Sequence, residues 1–358
     1  MRLLRTAIAA SSLLALGLTA CTTSTPTETA EPADTTAAET TAAEETTAAE
    51  ETTGAAEETT PAADGEIPQG NGETIYLVSK GFQHRFWQAV NEGAQQAGED
   101  YNYSIEFVGP DDETKVTQQL DQLQTALDGD PIAIGFAALD TGAAEPILQE
   151  IEAAGIPLVA FDSGVDSDLP VTTIQTDNTA AAAEAAKHMI ELTGGEGQIG
   201  VICHDQTSQT GKQRCDGFVD YIEENAPGIT VLEPQVAGEV GLAANTAKAM
   251  IQANPEIVGI YGTNEAAASG AVQGVTESGV EDLVVIGFDS GKTQMDAIRE
   301  GRMAGAITQS PVKMGYETVV AAIKAVNGIE QPEIIDSGFA WYDANNIDDP
   351  EIAANLYE

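Results

Sequence analysis

From residue 73 onward, short apolar runs alternate with longer amphipathic stretches. The runs 75-IYLVS-79, 104-SIEFV-108, 132-IAIGF-136, 157-PLVAF-161 and 171-VTTIQ-175 read as strands. So do 198-QIGVIC-203, 229-ITVLE-233, 257-IVGIY-261, 283-LVVIGF-288 and 305-GAIT-308, because β-branched and aromatic residues dominate them between turn signals. Helical patterning fills 83–99, 114–128, 143–154, 178–193, 212–225, 242–253, 264–278 and 311–326. Near-continuous apolar strands separated by helices imply parallel sheet covered on both faces. Ten such strands exceed one small domain, so the pattern predicts an α/β chain of two doubly wound, Rossmann-like parallel-sheet lobes. The stretch after Asp177, an N-cap residue, opens the second lobe. The same βα rhythm runs twice, and no motif-level repeat is read.

The first 72 residues follow a different pattern. Arg2 and Arg5 precede 6-TAIAASSLLALGLTA-20, an apolar run too short to span a bilayer and ending in small residues; residues 1–20 read as a secretory signal. The end, 18-LTAC-21, resembles a bacterial lipobox, which makes Cys21 the lipid-bearing residue. Residues 21–72 are Thr, Ala and Glu with almost nothing to bury, and read as a disordered acidic tether. No later run reaches about 18 apolar residues, so the only membrane contact expected is through the lipid. The chain carries 14 basic and 58 acidic residues, net −44, which excludes nucleic acid and other polyanions as partners. Cys203 and Cys215 form an even pair in an oxidising compartment. They could close a disulfide, hold a metal together with His204, or stay as buried thiols.

In open parallel sheets, ligands sit beyond the carboxyl ends of the strands. Candidate groups collect there: His84 with Phe86 and Trp87 after the first strand, Asp162 after 157-PLVAF, His204, Asp205, Lys212 and Arg214 after 198-QIGVIC, Asn264 after 257-IVGIYGT, Asp289 after 283-LVVIGF and Gln309 after 305-GAIT. Gly-x-Ser-x-Gly, Walker and His-Glu-x-x-His motifs are absent from the sequence, and no cofactor or metal is expected. Asp162 with Asp289 would suit a glycosidase only at the right separation. Carboxylates, amides and rings together suit a small neutral carbohydrate: hydroxyls donate and accept, and C–H faces pack on aromatic planes. The plainer alternatives are turn-capping acids, a core Phe82, and one of Phe86 and Trp87 turned inward.

The order VSKGFQHRFWQAVNEGAQ, IPLVAFDSGVDSDLPVTTIQTDN, RCDGF, IYGTNEAAASGAV, VVIGFDSG and AGAITQSP resembles the ribose-type periplasmic binding proteins of bacterial ABC sugar importers, in lipoprotein form. The resemblance implies a hinge of three crossings near 175–178, 308–311 and 336–340. It divides the folded chain into 73–176 plus 310–337 and 177–309 plus 338–358. It implies ligand contacts from His84, Phe86, Trp87, Asp162, Lys212, Asn264, Asp289 and Gln309. Three departures, Ser163, Ala137 and Gly238, imply a roomier and differently polar pocket than a ribose site. A monomer outside the cytoplasm, anchored to the cell membrane and serving an ABC permease, is the expected setting. A sugar-sensing receptor component is the rival. A sugar-responsive repressor is disfavoured, since an export signal stands where its DNA-binding helices would be.

Overall fold

Each of the ten apolar runs becomes a strand. The computed structural model describes residues 67–82 and 84–357; the signal, Cys21 and the tether up to residue 66 lie outside the described residues. The first lobe begins β1 (Thr74–Val78), α1 (Arg85–Tyr101), β2 (Ser104–Val108), α2 (Val116–Asp128), β3 (Ala133–Phe136), α3 (Thr141–Ala154), β4 (Leu158–Phe161) and β5 (Thr173–Gln175). The second continues α4 (Asn178–Thr193), β6 (Gly197–Cys203), α5 (Gln209–Asn225), β7 (Ile229–Val231), β8 (Gln235–Val236), α6 (Val240–Ala253), β9 (Ile257–Gly262), α7 (Glu265–Ser278), β10 (Val284–Phe288), α8 (Lys292–Arg299) and β11 (Gly305–Gln309). Then come α9 (Pro311–Val326), β12 (Ile334–Asp336), β13 (Phe339–Asp343) and α10 (Pro350–Ala353).

Two sheets result. The first has the order β12-β5-β4-β3-β1-β2 and is parallel throughout. The second runs β13-β11-β10-β9-β6-β7, with β8 on β6 and only β13 antiparallel. Within each, five strands follow one winding: β2-β1-β3-β4-β5 and β7-β6-β9-β10-β11. Strand order therefore reverses beside β1 and beside β6, where a doubly wound sheet opens a crevice.

The chain passes between the sheets three times, from β5 to α4, from β11 to α9, and from β12 to β13. Thr176 joins all three passages: its hydroxyl lies 2.9 Å from Gln309 Oε1, 3.2 Å from Ser337 Oγ and 3.4 Å from the Gly338 carbonyl. After its passage, α9 packs on α1 in the first lobe. Gly93 and Gly315 permit that approach, because a methyl at either would collide with backbone of the other helix. In the second lobe Asp177 caps α4, its carboxylate accepting the Ala180 N–H at 2.9 Å.

Two details depart from the sequence reading. The tetrapeptide Phe-Asp-Ser-Gly occurs twice, at 161–164 and 288–291, at the ends of the equivalent strands β4 and β10, so a motif-level repeat does exist. Tyr357, in a segment assigned to the second lobe, packs its ring in the first lobe's core cluster with Phe86 and Trp87. Cys203 and Cys215 are joined as a disulfide, tying the end of β6 to α5. A metal site using both thiols is therefore excluded. Among the described residues no helix is long and apolar enough to cross a membrane.

Candidate ligand-binding cleft

The lobes meet along their strand ends. Lys80 Nζ donates to Thr210 Oγ1 at 2.8 Å, Thr207 Oγ1 to the Leu139 carbonyl at 2.9 Å, and Gln209 Nε2 to the Val165 carbonyl at 3.1 Å. Between them lies a cavity of about 20 Å³, room for little more than a water molecule. Nine residues singled out from the sequence line it: His84, Phe86, Trp87, Asp162, His204, Arg214, Asn264, Asp289 and Gln309. Two more do so, Lys80 and Glu113. In this closed arrangement the long side chains of these residues fill the space between the lobes.

Lys212, expected among the ligand contacts, is placed elsewhere. It is exposed and does not line the cavity; Arg214 does. Helix α5 buries Thr210, Gly211, Arg214, Cys215, Phe218 and Ile222. Two residues on a helix are about 200° apart, so Lys212 faces away from Arg214. Arg214 is held rigidly: Nε donates to Asn178 Oδ1 at 2.7 Å, Nη1 to the Thr263 carbonyl at 3.3 Å, and the guanidinium lies 3.8 Å above the Phe288 ring.

Both Asp-Ser-Gly acids take a left-handed backbone, φ 55° at Asp162 and 72° at Asp289. Asp tolerates this better than most residues, and such strain collects at functional sites. Asp289 Oδ1 accepts from Gln309 Nε2 at 2.7 Å, and Oδ2 accepts from the Glu265 N–H at 3.2 Å with Arg214 Nη1 3.7 Å away. Asp162 Oδ2 lies 3.3 Å from Lys80 Nζ but has no hydrogen-bond partner of adequate geometry. Burial pulls the Lys80 ammonium down, yet Asp162 foremost and then Glu113 hold it above its ordinary value. Asn264 spends Oδ1 on the Ala267 N–H at 2.8 Å as the cap of α7, which leaves its Nδ2 available as a donor.

His84 stands 4.0 Å from Glu113 Oε2 and 3.6 Å from Glu265 Oε2, the latter across the seam. Burial lowers its pKa, but Glu113 and Glu265 outweigh that and raise it to about 9. His204 differs: burial lowers its pKa to about 4, assisted by Lys80 and Arg214 and opposed by Asp205. Its backbone N–H donates to Thr263 Oγ1 at 2.8 Å, and Nδ1 lies 2.7 Å from the same hydroxyl. Phe86 and Trp87 are both buried, edge to face at 4.9 Å, and the Trp87 N–H donates to Glu113 Oε1 at 2.8 Å. Phe82 is neither core nor cavity; it is exposed and meets Phe107 edge-on at 5.8 Å. Gln119, buried in α2, steadies the crevice by donating to the Ser79 and Ala137 carbonyls at 2.8 Å each.

The buried atoms left without hydrogen bonds are informative. Among the described residues they include His84 Nε2, Asp162 Oδ2 and Glu265 Oε2, gathered at this one seam. Buried polar groups are normally paired, so these are groups that a polar ligand can satisfy.

Two symmetric crevices facing each other, with a polar cavity on their seam, define a bilobal solute-binding protein. The chain belongs to the periplasmic binding protein domain family, which it matches over residues 75–330. It is 26% identical over 269 residues to the D-apiose import binding protein of Actinobacillus succinogenes, covering 73% of this chain and 86% of that one. It is 21% identical to the ribose import binding protein of Escherichia coli, covering 72% and 86%. Among solved structures, a carbohydrate transporter solute-binding protein of Agrobacterium radiobacter in complex with D-arabinose superposes with a TM-score of 0.76 at 30% identity, covering 80% of this chain and 99% of that one.

Proposed function

We propose that this protein captures a small neutral carbohydrate, a pentose, hexose or polyol, between its lobes and delivers it to an ABC importer. The observation that carries the reading is the pair of equivalent acids, Asp162 and Asp289, one from each lobe, lining one cavity with Phe86 and Trp87. Each acid can accept from vicinal hydroxyls, while Asn264, Arg214 and Lys80 donate. Charge favours a neutral ligand: Lys80, His84 and Arg214 are balanced by Glu113, Asp162 and Asp289.

A sugar ring needs far more than the closed cavity offers, so the lobes must part about the Thr176 hinge to admit it. Ligand that touches both lobes only when they are closed shifts the population toward closure. The permease then reads the closed shape. Lipid on Cys21 and the acidic tether would hold the monomeric protein at the outer face of the cell membrane and raise its effective concentration near the permease.

A thermal-shift screen tests the reading, since a bound ligand raises the melting temperature by mass action. With D-apiose, D-ribose, D-arabinose, D-tagatose, xylitol, amino acids and divalent metals as probes, one carbohydrate is expected to raise it. Asp289→Ala should abolish that rise while circular dichroism stays native. A shift by amino acids or metals with none by any carbohydrate overturns the proposal.

A further inference from the structure

The peptide unit between Asp289 and Ser290 is held at both ends by tyrosine hydroxyls. Tyr342, on β13, donates its hydroxyl to the Asp289 carbonyl at 2.9 Å. The Ser290 N–H donates to the Tyr357 hydroxyl oxygen at 3.1 Å, and Ser290 Oγ accepts the Tyr357 N–H at 3.2 Å. Both tyrosines are buried, as is Ser290. Among the described residues the equivalent turn of the first lobe has no such side-chain support: the Asp162 and Ser163 N–H groups donate to the Ile174 carbonyl at 2.8 Å and the Phe161 carbonyl at 2.6 Å, and the Ser163 carbonyl accepts the Ala138 N–H at 3.4 Å. Burial, and then the charges of Asp289 and Glu265, push both phenols well above their ordinary pKa, so both keep their protons across the working pH range. Tyr357 also reaches across the seam, its ring 6.0 Å from Phe86 at 64°.

We infer that Tyr342 and Tyr357 are positioning residues: they fix the left-handed turn at Asp289 so that its carboxylate points into the cleft, and Tyr357 ties that turn to the aromatic wall of the other lobe. Neither lines the cavity. A non-glycine residue at φ 72° is strained and persists only where its surroundings over-determine it. Here one hydrogen bond to each side of a single peptide unit supplies that. The inference rests on the carbohydrate-binding reading for its effect on affinity, but not for its effect on the turn.

The test uses Tyr342→Phe, Tyr357→Phe and the double variant, which keep the rings and remove the hydroxyls. Amide exchange at Ser290, followed by NMR, should quicken in Tyr357→Phe. Affinity for whichever carbohydrate shifts the wild type should fall about five- to tenfold per hydroxyl. Repeated in an Asp289→Asn background, the same changes should cost almost nothing, because residues acting through one group are not additive. Unchanged Ser290 exchange overturns the inference. So does an equal affinity loss with and without Asp289, which would mean a merely structural role. If no carbohydrate binds the wild type yet Ser290 exchange quickens, the clamp on the turn stands and the functional reading falls.

Discussion

Beyond the first strand of each lobe stands a buried histidine, His84 after β1 and His204 after β6, and beyond the equivalent strands β4 and β10 stands an Asp of Phe-Asp-Ser-Gly. The folds that present them wind identically, yet the chemistry is opposite. His84 faces Glu113 and Glu265 and is raised to about 9, so it is a cation at neutral pH. His204 is lowered to about 4, first by burial and then by Lys80 and Arg214 against the pull of Asp205, so it is neutral. The acids differ in the same way. Asp289 shares its charge among Gln309, the Glu265 N–H and Arg214, whereas Asp162 leans on the Lys80 ammonium alone among the described salt bridges. Position in the fold delivers a side chain to the seam; burial there, and the charges that oppose or assist it, decide what it can do.

The largest expected effect comes from breaking the acids' asymmetry. Asp162→Ala leaves the Lys80 ammonium, 3% exposed, without its nearest counter-ion and with only the more distant Glu113 and Asp205 attracting it, a loss on the order of 3 kcal/mol. Lys80 sits on the seam, so it can regain water if the lobes part. The cost should therefore fall on the closed arrangement more than on folding. Asp289→Ala leaves Arg214 with Asn178, Thr263 and Phe288 and should cost about 1–2 kcal/mol. Small-angle scattering without ligand should show a larger radius of gyration for Asp162→Ala than for Asp289→Ala. Equal radii would mean that the Lys80 pair does not hold the lobes together.

The histidines predict opposite pH limbs, each on the order of 3 kcal/mol. His84 has a raised folded pKa, so its contribution is whole below about 6.5 and is lost as pH rises through about 9. His204 has a depressed one, so its contribution is whole above about 6.5 and is lost as pH falls through about 4. In melting curves from pH 4 to 10, His84→Gln should flatten the alkaline limb and His204→Asn should soften the acid limb. If both substitutions altered the same limb, the contrast between the lobes would collapse.

Much of this was legible in the sequence because parallel strands are buried on both faces and read as apolar runs. What escaped was local. Strand β12 is three residues, Ile-Ile-Asp, on a sheet edge and makes no apolar run; β13, Phe-Ala-Trp-Tyr-Asp, does make one, but it is half-buried, antiparallel and outside the βα rhythm that marks the other strands. Helix α8 hides directly behind the second Phe-Asp-Ser-Gly. In the cleft, residues just past strand ends were found, while Glu113 was not, because an acid in 111-DDETK-115 looks like a helix-entry turn. Lys80 stood in plain view beside the aromatic cluster, but a lysine there reads as solvated until the other lobe covers it.

Helix phase was the remaining signal, and it supports the smallest prediction. Cys215 and Phe218 mark the buried face of α5, and Arg214 lies next to Cys215 and four residues before Phe218. Lys212 lies off that face and is exposed. Lys212→Ala should leave ligand affinity unchanged and stability within about 0.5 kcal/mol. Arg214→Lys keeps the charge but loses the Nε bond to Asn178 and the flat contact on Phe288, so it should weaken binding at least about tenfold. The paired measurement, by calorimetry with one carbohydrate, distinguishes geometry from charge: an electrostatic role for α5 would make Lys212→Ala, which removes a charge, the damaging change and leave Arg214→Lys nearly neutral, whereas a positioned guanidinium makes the conservative change the damaging one.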